Sequence, residues 1–293
     1  MGVKNILVLL MALLLAACSS DAGQGRPASG TAPRRVVCLA PSAAELLFAL
    51  DAGGLVVGTA EHSDEPAEAR SLPRVGSYAR PDLERVLTLR PDLCIAVQDG
   101  TPPQTLARLG ELGIPVALMA TENLEELLGS MLVVGRTVGR QAKAEALVGE
   151  LRERMEAVRR RAAQAQRRPR VLFQVSGPHI MAAGPQSLLG QLVALAGGDN
   201  AAPAEPAYPQ LSAEQVLAMA PDVVVAFDML GQGQGQDQGM AGWPADPRIP
   251  AVRQRRLYTV DPALFARPGP RLAEALEALA RIIHPEIFGT YRP

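Results

Sequence analysis

From residue 34 nearly to the end of the chain, two apolar patterns take turns. Short unbroken runs such as "RRVVCLAP" (34–41), "LVVGTA" (55–60), "PDLCIAV" (91–97) and "IPVALMA" (114–120) have the character of buried parallel strands. Between them, apolar residues recur every three or four positions. The stretches "SAAELLFALDAGG" (42–54), "DLERVLTLR" (82–90), "TPPQTLARLGELG" (101–113) and "NLEELLGSMLVVGRTVG" (123–139) therefore predict helices. Ser42 is placed to cap the first of these, with Glu45 three residues on, and Gly53-Gly54 stop it. Alternating strands and helices argue an α/β lobe built on a parallel sheet.

The texture then changes. Residues 140–168 are rich in Ala, Glu, Arg, Leu and Met, all strong helix formers. Leu147, Leu151, Met155 and Val158 predict one apolar stripe, interrupted only by Gly149. Such a helix would be roughly 40 Å long. The run Arg159-Arg160-Arg161 reads as a solvated face. Alternation resumes with "RVLFQVSG" (170–177), a helix in 184–198, a helix and strand in 212–227, a strand in 256–261 and a last helix in 271–285.

One phrase occurs twice. Residues 83–96 read "LERVLTLRPDLCIA" and residues 213–226 read "AEQVLAMAPDVVVA". Each has a Glu (Glu84, Glu214) followed seven residues later by Pro-Asp and then an apolar run. Pro-Asp ends a helix and starts a strand. The repeat predicts one helix–turn–strand unit in each of two similar α/β lobes, 34–139 and 169–293, joined by the rigid helix 140–168, with a ligand cleft between them.

The amino end predicts something else. Lys4, the apolar run "ILVLLMALLL" (6–15) and "LAAC" (15–18) describe an export signal. A Cys after small residues resembles a bacterial lipobox, which implies that Cys18 carries lipid. The run is too short for the ~20 residues that a membrane span needs. Residues 19–33 are small, polar and Pro/Gly-rich, a flexible tether. The expectation is an exported protein anchored to the membrane through its lipid.

Net charge is −1, so no basic footprint points to nucleic acid. Besides Cys18 there are only Cys38 and Cys94, which either pair or remain two buried thiols. No Cys/His group has metal-site spacing. Gly residues alternate in "GQGQGQDQG" (231–239), but no helix opens after them as a phosphate loop requires. With three histidines, and "VSGPH" (175–179) where a nucleophile elbow would stand, no enzyme is expected. A two-lobed metal scavenger would want a His/Asp/Glu cluster, and only isolated candidates occur.

The layout resembles the helical-backbone binding proteins of ABC importers, which carry cobalamin, haem and iron–siderophores. The phrases that carry the resemblance run over about 36–285. They are "RVVCLAPSAAELLFAL", "VGSYARPDLERVLTLRPDLCIA", "LGIPV", "LLGQLVALAGGDNAA", "YPQLSAEQVLAMAPDVVVA" and "RPGPRLAEALEAL". Within the family the sequence is most similar to the cobalamin binders. That resemblance implies ligand contacts at Pro41, Tyr78, Tyr208 and Arg267. Aromatic rings offer a corrin flat apolar area, and an Arg can donate to its periphery. His62 and Met181 fall where cobalamin binders have aromatic contacts, and Val97 replaces a third. His62 is either a ligand contact, even a metal ligand from above, or a surface histidine in "AEHSDEP". Haem binders place a Tyr directly after "VG", where this chain has Ser77. The resemblance further implies that Glu84 and Glu214 dock on a permease dimer driven by its ATPase. The expected function is capture and delivery of cobalamin or a related corrinoid by a monomer with no cofactor of its own. The alternative is a haem or ferric-siderophore carrier.

Overall fold

The computed structural model describes residues 32–176, 180–227 and 246–292. The export signal, Cys18, nearly all of the tether and the 231–239 stretch lie outside the described residues. None of the described helices is long and apolar enough to cross a membrane.

The amino-terminal lobe is built on a four-stranded sheet. Its strands are β1 (Val36–Cys38), β2 (Val56–Thr59), β5 (Leu93–Val97) and β6 (Val116–Met119), in the order β2-β1-β5-β6, all parallel. A two-stranded ribbon, β3 (Gly76–Ser77) and β4 (Arg80–Pro81), stands apart from it. Helices α1 (Pro41–Ala49), α2 (Leu83–Thr88), α3 (Pro103–Glu111) and α4 (Leu124–Thr137) connect the strands. Ser42 does not cap α1. Ala40 holds that place, Pro41 takes the first turn, where a missing N–H costs nothing, and Ser42 and Glu45 are buried.

The connecting helix α5 spans Gln141–Ala162, about 33 Å. It ends six residues before the sequence pattern does, because the chain must turn there to enter the next strand. In that turn Arg168 donates to the Gly198 carbonyl at 2.9 Å. The buried stripe of α5 is Ala144, Val148, Leu151, Met155, Val158 and Ala162, with Leu147 only half-buried at its edge.

The second lobe has β7 (Arg170–Ser176), β8 (Ile180–Ala182), β9 (Asp199–Asn200), β10 (Gln210–Leu211), β11 (Val223–Ala226) and β12 (Leu257–Thr259). Its order is β10-β8-β7-β11-β12, with β9 beside β7. Strands β7, β11 and β12 run parallel and repeat the β1-β5-β6 arrangement. At the other edge the sheet becomes mixed: β8 runs antiparallel to β7 and β10 to β8. Only three residues separate β7 from β8, too few for a parallel crossover. The helices of this lobe are α6 (Leu188–Leu195), α7 (Ala213–Met219), α8 (Pro250–Arg253), α9 (Pro262–Phe265), α10 (Leu272–Ile283) and α11 (Pro285–Phe288).

One apolar cluster runs through both lobes. It contains the inner faces of the two sheets (Val36, Cys38, Ile95; Val171, Phe173, Val225) and the facing sides of α1, α4, α5, α6 and α10. The outer face of each sheet has its own smaller cluster. This sidedness settles the cysteines. Cys38 belongs to the central cluster and Cys94 to the outer one, because in register Cys94 lies beside Val37. They point to opposite faces of one sheet and stay free. Burial pushes the Cys94 thiol up to about 12, and pushes Cys38 further still.

Candidate ligand cleft

Ligands of open parallel sheets bind beyond the carboxyl ends of the strands. In the first lobe, Pro41 follows β1, His62 follows β2 and Tyr78 reaches the segment after β5. Tyr78 and Ala79 form the two-residue loop between β3 and β4, closed by the Arg80 N–H donating to Ser77 Oγ at 3.1 Å. The strand before the loop needs Gly76: its φ is +90°, and a Cβ there would stand 2.6 Å from the Arg80 carbonyl oxygen. Tyr78 is 40 % exposed, and its ring leans on Gly100, where a Cβ would meet it at 2.7 Å. Gly100 therefore makes the seat for the ring.

Tyr208 approaches the same segment from the other lobe. It lies just before β10 and is 43 % exposed. Desolvation of its hydroxyl, followed by the negative charge of Asp99, raises its pKa, and a hydrogen bond with Ser187 partly offsets this. Asp99 is the residue before Gly100, so the two tyrosines flank one loop of the first lobe. Met181, on the outward side of β8, is 37 % exposed and pairs in register with Gln210, two residues from Tyr208.

Asp99 brings company that the sequence did not announce. Thr121 donates to Asp99 Oδ2 at 3.1 Å. The charge of Asp99, then that of Glu126, raises the Glu122 carboxyl above its ordinary range. The lobes also bond to each other here. The Leu188 N–H donates to the Glu122 carbonyl at 2.9 Å, and the Leu124 N–H donates to the Gln191 side chain at 2.9 Å.

A second junction lies at Pro41 and Arg267. Gly269 lies beside Ser42, the residue after Pro41, and Arg267 reaches Glu45 of the same helix, so the chain around the two sequence-predicted contacts is brought together across the lobes. Arg267 is not a free cation. Its Nη1 stands 3.6 Å from Oε1 of Glu45, which is 5 % exposed. Arg271 holds the same carboxylate more closely, with Nε at 3.1 Å from Oε2 and Nη2 at 3.3 Å from Oε1, and also donates to the Ala263 carbonyl at 2.7 Å. The sequence pattern offers Glu45 as the residue three on from a Ser42 cap, not as an inter-lobe partner of two arginines.

His62 is exposed at φ +60°, in a turn folded around the Arg74 guanidinium. Arg74 donates to the Ala60 and Ser63 carbonyls at 3.3 and 3.0 Å and pairs with Asp64 at 3.3 Å. Glu84 and Glu214 are exposed on short helices, α2 and α7, one in each lobe.

The family model described as "Periplasmic binding protein" matches residues 36–264. A vitamin B12-binding protein of Vibrio cholerae serotype O1 is 30 % identical over 245 residues, 83 % of this chain and 86 % of that protein. An uncharacterised ABC transporter substrate-binding lipoprotein of Bacillus subtilis is 29 % identical over 262 residues, 87 % of this chain and 82 % of its own. Among solved structures, a periplasmic heme-binding protein from Roseiflexus sp. RS-1 superposes with a TM-score of 0.76 at 32 % identity, covering 86 % of this chain and 98 % of that one. With most of its length inside the family model, and relatives matched nearly end to end, this chain belongs to the periplasmic binding protein family.

Proposed function

We propose that this protein is the extracytoplasmic substrate-binding component of an ABC importer, that it captures cobalamin or a related corrinoid between its lobes, and that it is held at the membrane through lipid on Cys18. The observation that carries the reading is the pair Tyr78 and Tyr208. Among the described residues, each lobe leaves one large aromatic side chain exposed, and both address the Asp99–Gly100 loop. An aromatic side chain left 40 % exposed costs hydrophobic stabilisation that a flat apolar ligand would restore. The vitamin B12-binding relative supports the same ligand class. So does the charge of the cleft. Asp99 and Glu122 on the Tyr208 side suit the amide donors of a corrin rim and repel carboxylates. Glu84 and Glu214, one per lobe, would dock on a two-fold permease whose ATPase supplies the work, while the binding protein itself catalyses nothing.

Haem is the second reading, and the 32 % identical heme-binding structure favours it. Titration of the protein with cyanocobalamin, cobinamide, haemin and a ferric siderophore, followed by absorbance and calorimetry, separates the two. Saturable corrinoid binding is expected, weakened about tenfold by Tyr78→Ala and again by Tyr208→Ala. Haemin binding with a Soret shift, and none of the corrinoids, would move the function to haem.

A further inference from the structure

The repeated phrase folds twice into the same bonded unit, and each copy includes an arginine from outside the phrase. In the first lobe Asp82 caps α2, accepting from the Arg85 N–H at 3.1 Å, and Glu84 is the second residue of the helix. Arg90 follows the helix with φ +48°, then come Pro91 and Asp92. The Asp92 carboxylate accepts from the N–H groups of Arg34 and Arg35 at 2.8 and 3.0 Å. The Arg35 side chain reaches back to the end of α2, donating to the Leu89 carbonyl through Nε at 3.0 Å and Nη2 at 2.7 Å. In the second lobe Ser212 caps α7, accepting from Gln215 at 3.2 Å, and Glu214 is again the second residue. Ala220 follows with φ +46°, then Pro221 and Asp222. Asp222 accepts from the Arg170 N–H at 3.0 Å, and Arg170 Nε donates to the Met219 carbonyl at 2.9 Å.

We infer that Arg35 and Arg170 are positioning residues for the docking carboxylates Glu84 and Glu214, an inference that rests on the docking reading above. Helices of six and seven residues do not hold themselves in water. Each is pinned at its start by a capping side chain and at its end by a guanidinium, which also suits the negative pole of the helix. Because each Arg stands at the head of the central strand of its lobe, each clamp ties a helix to its own sheet. The two sheets are in turn fixed to each other by the shared core around α5. The spacing and direction of two exposed carboxylates are thereby set by the body of the protein. A preset pair loses less freedom on meeting a two-fold partner than a mobile pair would. Neither arginine touches the cleft, so the clamps belong to delivery and not to capture.

The test measures binding of the ligand-loaded protein to the importer's permease–ATPase complex in nanodiscs, with stimulation of ATP hydrolysis as a second readout. Arg35→Gln and Arg170→Gln should each weaken docking about tenfold and leave the ligand Kd within about twofold. Arg35→Lys, which keeps one donor for the Leu89 carbonyl, should recover part of the loss and serves if the Gln variant does not fold. A double-mutant cycle sets positioning apart from a general loss of stability. Arg35→Gln added to Glu84→Gln should cost no more than Glu84→Gln alone. Additive losses, or full docking by the Arg variants while Glu84→Gln weakens it, would overturn the positioning role. If Glu84→Gln and Glu214→Gln both dock normally, the docking reading itself falls and the inference with it.

Discussion

At the scale of single residues, the most consequential one is Glu45. Its spacing from Ser42 matches a helix cap, yet the structure buries it and turns it toward the arginines of the other lobe. A buried carboxylate is retained only when it is paired, and removing one partner leaves the other charges uncompensated. Glu45→Gln should therefore lower stability by about 3 kcal/mol in urea unfolding. A loss below about 1 kcal/mol would class the junction with exposed ion pairs. The cysteines teach the same lesson about sidedness. Their positions in apolar runs were readable, but whether they face each other depends on the register of β1 against β5. The tyrosines were picked out by resemblance to a family. Their exposure, and the seat that Gly100 makes for Tyr78, needed coordinates.

At the scale of elements, the long helices and the central strands follow from the apolar pattern, because each carries several periods of it. The missed elements are those too short to have a period. Strands β3, β4, β8, β9 and β10 contain two or three residues each and exist through the partners that they bond. The Tyr78-Ala79 loop lacks the Asn-Gly or Asp-Gly that marks a two-residue hairpin. Helix α5 shows the opposite case, a propensity-rich segment with one flaw. Gly149 sits on its exposed face, and a Cβ there would meet nothing within 4 Å. Gly149→Ala should raise stability by about 1 kcal/mol, read from the denaturation midpoint, with ligand affinity unchanged. A loss of stability would mean that this face of α5 is in contact with something.

At the scale of the molecule, the two lobes are not two independent cores. The central cluster passes from one sheet through α4, α5, α6 and α10 to the other. The Arg154 side chain ties α5 to Glu277 of α10, with Nε at 3.1 Å and Nη2 at 2.9 Å. Hydrogen bonds at Leu124 and Leu188 and the Glu45 junction add direct ties between the lobes. Thermal unfolding followed by far-ultraviolet and near-ultraviolet circular dichroism should accordingly give one coincident transition. Two separated transitions would show that the lobes unfold independently and that α5 does not couple them.

The sequence by itself determined the alternation of strands and helices, the duplicated unit and the connecting helix, because these are written in local periodicity and in helix stops that act within a few residues. It also carried the family resemblance, which singled out Tyr78, Tyr208, Glu84 and Glu214. Only the tertiary structure decided which charges meet. Glu45 finds Arg271 at a separation of 226 residues, the charge of Asp99 acts on Tyr208 of the other lobe, and Arg35 and Arg170 close on the two repeats. A charge pair depends on distance in space and on exclusion of water, and no periodicity along the chain encodes either.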